Sequence, residues 1–305
     1  MLLAGAVAMT NSSQALGSVP RCPAVMDDLF FRPVGAEWHA GRLRSFHSGD
    51  AVTLYSGRSG MPKYRMTTVG ECTELPAAVR PSRKRGFYGR GFEKQVRIEA
   101  NRQVGRDGIF IGDSIVTALR GLRYPETQRI WSDIAGSDSV LNAAVPGDRT
   151  GHAISLLDLI RRDARLVAIQ IGTNNHNAAG TFRLSAAETA EGIARIVAEA
   201  RVRAPGARIV LIAIPPTTLP VRHRHNQRTN ELIRTLADGK HVFFVDPGPL
   251  IDPADPGISH DGLHLRPHGQ YLWYGALTPT LRAILDGEEP PEFRIEDHAA
   301  SDRSG

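Results

Sequence analysis

From residue 92 onward the chain alternates short, wholly apolar segments with longer amphipathic ones, and that alternation narrows the fold more than any other feature. The apolar segments are Gly108–Ile111, Val140–Asn142, Leu166–Ile171, Ile209–Ile214 and His241–Val245. Each reads as a strand without the polar alternation of a half-exposed one, so each is expected to be covered on both faces. Helical patterns surround them: Phe92–Gln103, a short helix from Ser114, Glu126–Ile134, Thr150–Arg162, Ala186–Arg203, Asn226–Ala237 and Pro267–Leu285. In Thr150–Arg162, Ile154, Leu157 and Ile160 share one face, and Pro205-Gly206 stops the longest helix. Strand–helix alternation of this kind predicts a five-stranded parallel sheet in a three-layer α/β/α domain over residues 92–286. Such sheets bind ligands beyond the carboxyl ends of their strands.

The front of the chain differs. Residues 1–91 carry 12 Lys/Arg against 6 Asp/Glu, whereas residues 92–305 carry 25 against 26. The basic excess therefore belongs to the front segment and not to the α/β domain. Its densest part, Arg80 to Arg90, mixes basic and aromatic residues, but is read as a solvated linker and not as a nucleic-acid surface. Within residues 26–91, Ala51–Tyr55 and Tyr64–Val69 are rich in β-branched and aromatic residues and predict a small β-containing segment. Residues 1–25 read as disordered or as a mis-assigned start. A weak secretory signal is the competing reading, and it lacks a charged start. No apolar run approaches the ~18 residues of a membrane span, so no membrane contact is expected. The two cysteines, Cys22 and Cys72, have no metal-type spacing, and a reducing, cytoplasmic setting is favoured. The tail, residues 287–305, is acidic and low in apolar residues, and disorder is expected there.

Four short blocks fall at predicted strand ends or late loops. Gly112-Asp113-Ser114 follows the first strand and opens a helix. Gly112 is expected to permit the tight turn, and a hydroxyl at Ser114 would lie at a helix N-terminus, where free amides favour negative charge. The same tripeptide also reads as an ordinary helix cap. Leu141 to Thr150 contains Gly147, whose backbone can approach a reacting carbonyl and offer its N–H to an oxyanion. It also reads as a plain turn glycine with Asp148 capping the next helix. Gly172-Thr173-Asn174-Asn175-His176 follows the third strand, and the Asn174 amide could donate to the same oxyanion. Asp261-Gly262-Leu263-His264 precedes the closing helix and offers a base with a carboxylate to orient it. Each block alone has a structural explanation. In this order they supply a nucleophile (Ser114), a base (His264), its partner (Asp261), and oxyanion donors at Ser114, Gly147 and Asn174. Asp113, Asn175 and His176 are expected to border the substrate, with Asp113 also readable as a turn residue.

These blocks resemble the SGNH (GDSL-type) hydrolase family, and Phe110 to Ile115, Gly147 to Thr150 and Gly172 to His176 resemble the catalytic subunits of platelet-activating-factor acetylhydrolase and bacterial relatives. The resemblance covers roughly residues 92–286. It implies a flavodoxin-like fold, no cofactor, a metal-free mechanism, and Ser114, Gly147, Asn174, Asp261 and His264 in the roles just given. It implies a small-molecule acyl ester as substrate, above all a short-chain or acetyl ester. An acyltransferase, or a pathway-specific deacetylase of a carbohydrate or natural product, would use the same triad. The chain departs from the family pattern at Ala144 and Pro146, where relatives often carry glycine, and this stiffens the oxyanion loop. A binding module built on residues 27–91 is the least favoured reading, since no triad member is missing. His223-Arg224-His225 reads as an exposed basic loop, as two histidines fall short of a zinc site. Trp273 and Tyr274 read as core, and the loops Arg120–Arg129, Asn177–Leu184 and Pro215–Gln227 are where substrate choice is expected to reside.

Overall fold

A computed structural model of the chain describes residues 87–102, 107–135, 139–176 and 184–299, together with Ser82 and the backbone of five short strands before them. The sequence readings of residues 1–25, of most of Arg80–Arg90, of Asn177–Arg183 and of the last six residues lie outside the described residues.

The chain divides into two compact units. The smaller contains strands β1 (Leu29–Pro33), β2 (His39–Ala40), β3 (Ala51–Ser56), β4 (Arg65–Thr68) and β5 (Glu71–Glu74). They form an antiparallel sheet in the order β2-β1-β3-β4-β5.

The larger unit takes in everything from Pro76 and holds the second sheet. Its first helix, α1, runs Phe87–Arg102 and so begins earlier than the Phe92 expected. The strands are β6 (Gly108–Gly112), β7 (Val140–Asn142), β8 (Leu166–Gln170), β9 (Arg208–Ile212) and β10 (Val242–Val245). All pair in parallel, in the order β10-β9-β8-β6-β7. Read from the other edge this is the flavodoxin-type strand order, whose switch point lies between the first and third strands, here β6 and β8. Sheets of this order hold ligands beyond the strand ends at that point, and Ser114 and Asn174 follow those two strands.

The apolar strands are buried for the reason the sequence suggests. Every residue of β6, β7 and β8 is buried. In β10 the central Phe243 and Phe244 are only half-buried, because β10 is an edge strand. Helices α2 (Ser114–Thr117), α3 (Thr127–Ala135), α4 (Thr150–Ile154), α5 (Ala186–Arg203), α6 (Pro220–Arg234) and α7 (Pro267–Asp286) connect and cover the strands. Among the described residues, no helix is long and apolar enough to cross a membrane. Trp273 and Tyr274 on α7 are fully buried, and Tyr274 meets Phe110 of β6 edge-on at 6.2 Å between ring centroids. Burying the aromatic pair and its Ile and Leu neighbours contributes roughly 1.5–3 kcal/mol per large side chain.

Besides α1, helices α4 and α6 depart from the sequence reading. α4 stops at Ile154, and a separate 3-10 turn, Leu157–Leu159, replaces its predicted continuation to Arg162. The Ser155 hydroxyl donates back to the His152 carbonyl there, a contact that competes with continuing the helix. α6 begins at Pro220, not at Asn226, because a proline at the first helical position lacks only an N–H that would be orphaned anyway. His223, Arg224 and His225 are therefore helical, and His225 is buried and not in an exposed loop. In the tail, Phe293 packs against the core and a last turn, α8 (Glu296–Ala299), follows it.

Candidate active site

Three of the four blocks meet where the strand order reverses, and the fourth is brought to them by the turn before α7. Ser114 is the first residue of α2, directly after β6. Gly112 ends that strand, and its role is space and not backbone freedom: a Cβ there would lie 2.4 Å from the Val116 side chain. Asp113 is 2% exposed and accepts from the Ile115 amide at 3.0 Å, capping the turn that presents Ser114. α2 lasts a single turn before passing into a 3-10 turn at Ala118–Arg120, so the dipole invoked from sequence contributes little.

The His264 imidazole stands opposite. His264 Nε2 is 3.0 Å from Ser114 Oγ, and His264 Nδ1 is 2.7 Å from Asp261 Oδ2. Asp261 Oδ1 accepts the amides of Leu263 and His264 at 3.0 and 2.7 Å. Partial burial pushes the Asp261 carboxyl up, but the His264 amide, the His264 ring and the Leu263 amide outweigh it and hold the pKa down to about 2. The carboxylate therefore stays charged beside the imidazole. Gly262 allows the turn that brings the two together. Its φ is +74°, and a Cβ would lie 1.9 Å from Thr218 Oγ1. The Thr218 amide donates to the Gly262 carbonyl at 2.9 Å, so the segment after β9 braces this turn.

The oxyanion side is stitched more deeply. Val145-Pro146-Gly147-Asp148 forms a turn closed by the Asp148 amide on the Val145 carbonyl at 3.1 Å, with Gly147 at φ +72°. Pro at the second position and a left-handed Gly at the third are the requirements of a type II turn. Pro146 thus fixes the loop in the shape that presents Gly147. The turn delays the next helix, whose N-cap is Arg149 and not Asp148. Asn174 Nδ2 donates to the Asp148 carbonyl at 3.0 Å, leaving a second amide hydrogen for another acceptor.

Asn175 is fully buried: its Oδ1 accepts the Thr150 amide at 3.0 Å and its Nδ2 donates to Thr150 Oγ1 at 2.8 Å. The roles expected of Asp113 and Asn175 at the substrate stand beside a structural one. Their side chains face inward and hold the backbone that carries Ser114, Gly147 and Asn174. His176 is half-buried and stacks on His225 at 4.9 Å and 25°. His225 Nε2 lies 3.2 Å from Thr189 Oγ1, and burial and the neighbouring His176 lower its pKa against the opposing pull of Asn226 and nearby carbonyls. Asn226, next along α6, donates to Thr173 Oγ1 and to the Pro215 carbonyl, tying the third block to the end of β9. These α6 contacts escape a sequence reading that ends the preceding loop at Gln227.

Two residues without a motif also reach the triad. His260 stacks on His264 at 5.7 Å, and Arg123 Nη1 lies 2.8 Å from His260 Nε2. Among the described residues, His260, Asp261 and His264 are the group whose ligand atoms, within 4.8 Å of one another, could share a metal ion. Each of those atoms already has a partner: Arg123 for His260 Nε2, and each other for Asp261 Oδ2 and His264 Nδ1. The arrangement fits proton transfer better than metal ligation. A cavity of about 420 Å³ lies against β10, lined by Phe243, Phe244 and Phe293 among others, and no triad residue borders it.

The profile of the GDSL-like lipase/acylhydrolase family matches residues 110–272, which include all four blocks. The alpha2 subunit of human platelet-activating factor acetylhydrolase IB is 28% identical over 197 residues, covering 61% of this chain and 80% of that protein. The beta-subunit homolog of Drosophila melanogaster is 28% identical over 201 residues, covering 62% of this chain and 83% of that protein. A solved structure from Streptococcus pneumonia, described as a platelet activating factor, superposes with a TM-score of 0.51 at 23% identity, covering 64% of this chain and 92% of that one. That likeness bears on the fold.

Proposed function

The chain belongs to the GDSL-like lipase/acylhydrolase family and is a hydrolase acting on esters, and from that premise we propose that it is a serine esterase for short-chain, above all acetyl, esters. The observation that carries the reading is the continuous line from Ser114 Oγ through His264 to Asp261, at 3.0 and 2.7 Å. The preference for a small acyl group draws support from relatives named as acetylhydrolases and from the proline-fixed turn beside Gly147.

In this reading His264 Nε2 takes the Ser114 proton as Oγ attacks the ester carbonyl carbon. The carbonyl oxygen becomes an oxyanion, received by the amides of Ser114 and Gly147 and by the second Nδ2 hydrogen of Asn174. Collapse of the tetrahedral species breaks the bond to the alcohol oxygen, and His264 returns its proton to that oxygen. Water then attacks the acyl-Ser114 ester with His264 as base, releasing the acid and restoring the hydroxyl. Asp261 stays ionised throughout and stabilises the imidazolium.

The test is hydrolysis of p-nitrophenyl esters from acetate to decanoate, wild type beside Ser114→Ala. A maximum at acetate, lost in the variant, is the expected result. Wild-type rates in Ser114→Ala would remove the nucleophile assignment, and a maximum at long chains would remove the acetyl preference.

A further inference from the structure

Two imidazoles face one carboxylate oxygen in this site. Asp261 Oδ2 is 2.7 Å from His264 Nδ1 and 3.6 Å from His260 Nε2. His264 uses that oxygen, and the proposed chemistry requires that it keep it. His260 lies against the face of His264 with its ring tilted by only 19°. Its side chain is 13% exposed, so it is a packed part of the site.

What prevents competition is Arg123, in the segment between α2 and α3. Its Nη1 is 2.8 Å from His260 Nε2. A guanidinium can only donate, so Nε2 must accept, and the neutral ring then carries its proton on Nδ1. Nδ1 is buried without a hydrogen-bond partner among the described residues, so the ring gains nothing on that side from this tautomer. Arg123 is the group that selects it.

We propose that Arg123 and His260 are a positioning pair: Arg123 holds His260 as an acceptor, so that His260 buttresses the catalytic imidazole without taking its carboxylate. The proposal rests on the triad reading above. The groups that face His260 oppose one another, and those that disfavour its charged form prevail. Burial lowers its pKa, Asp261 on its own turn raises it, and Arg123, His264 and Arg266 at the head of α7 lower it, for a net value below the ordinary range. The Tyr124 ring closes the remaining side, edge-on at 6.5 Å. Without Arg123, His260 is free to carry a proton on Nε2 and to donate it to Asp261 Oδ2. His264 would then lose part of the contact that fixes its own tautomer.

The experiment compares Arg123→Met, His260→Phe and the double variant in full-length protein, with p-nitrophenyl acetate across pH. The expected loss of kcat/KM in Arg123→Met is about 10-fold or more and persists at neutral and alkaline pH, because the neutral ring protonated on Nε2 still donates to Asp261. The double variant recovers most of that loss, because the competing donor is gone. Equal impairment of Arg123→Met and the double variant, or a loss confined to acidic pH, overturns the proposal. A second readout is independent of turnover: nitrogen-15 NMR of the histidine rings. Wild type should show His260 protonated on Nδ1, moving to Nε2 in Arg123→Met. Nε2 protonation of His260 in wild type overturns the proposal whatever the activity. Conversely, the expected spectra with no Ser114-dependent hydrolysis would leave the pair standing and overturn the esterase reading.

Discussion

The two halves of the proposed catalytic site are built differently. The half that carries Ser114, Gly147 and Asn174 is anchored by buried side chains. Asp113 and Asn175 are 2% and 0% exposed, and Asn175 bridges segments 25 residues apart. The half that carries the base is a surface turn. The Asp261 and His264 side chains are 43% and 36% exposed, and three of the hydrogen bonds that order them span three residues or fewer. Ser114, Gly147 and Asn174, the proposed nucleophile and oxyanion donors, therefore share the stability of the core. The base is set by a local turn and needs outside bracing, which Thr218 supplies from the segment after β9 and which we propose Arg123 and His260 complete. A site of this design should lose chemistry and stability separately, depending on which half is altered.

The largest effect should come from chemistry alone. Ser114→Ala and His264→Ala should each lower kcat by ~1,000-fold or more while leaving the thermal midpoint nearly unchanged. A large drop in midpoint for His264→Ala would mean that the base half is not the local turn described. Next, Asn174→Ala should lower kcat by ~100-fold or more with little change in KM, as expected for a donor that engages the transition state.

Asn175→Ala should reverse the pattern. It strands the buried Thr150 amide, at a cost of about 1–3 kcal/mol in denaturant unfolding, and activity should fall because the oxyanion loop shifts. Stability equal to wild type would show that the buried half is not held as argued. Gly262→Ala tests the bracing of the exposed half. The left-handed backbone costs a side chain about 1–2 kcal/mol, and the collision with Thr218 adds to it. Thr218→Ala in the same protein should recover the collision but not the backbone strain.

The smallest effect concerns Asp261. Its folded pKa of about 2 lies below the unfolded value of ~3.9, so its ionisation stabilises the fold above that unfolded value and ceases to do so as pH falls through about 2. Solvent screens so exposed a group, which limits the contribution to a fraction of a kcal/mol. Thermal midpoints of wild type and Asp261→Asn should differ slightly above pH ~4 and converge toward pH ~2. A gap that widens with acidification would reverse the assigned sign.

The sheet was legible because β6, β7, β8 and β9 are apolar nearly throughout, a pattern that only burial on both faces explains. The four blocks were legible because their residue types are demanded by chemistry. Side-chain direction was not. Asn174 and Asn175 are neighbours of one type in one 3-10 turn, yet one reaches Asp148 and the other Thr150 in the interior. Reading Pro215–Gln227 as a loop passes over Pro220 as a helix start, and so misses that His225 and Asn226 are buried on α6. Arg123 lies 137 positions from His260, a separation that no local pattern bridges.

The edge strand β10 has a last consequence. An unpaired strand edge invites other chains to add to it. Here the segment after α7 runs beside it: Arg208 holds the Glu288 carbonyl and the Glu289 carboxylate, and Phe293 packs on the core. A segment so placed should hinder another chain from adding to that edge. A chain ended at Gly287 should keep its catalytic constants when dilute, and should precipitate on concentration or standing where the full-length chain stays in solution.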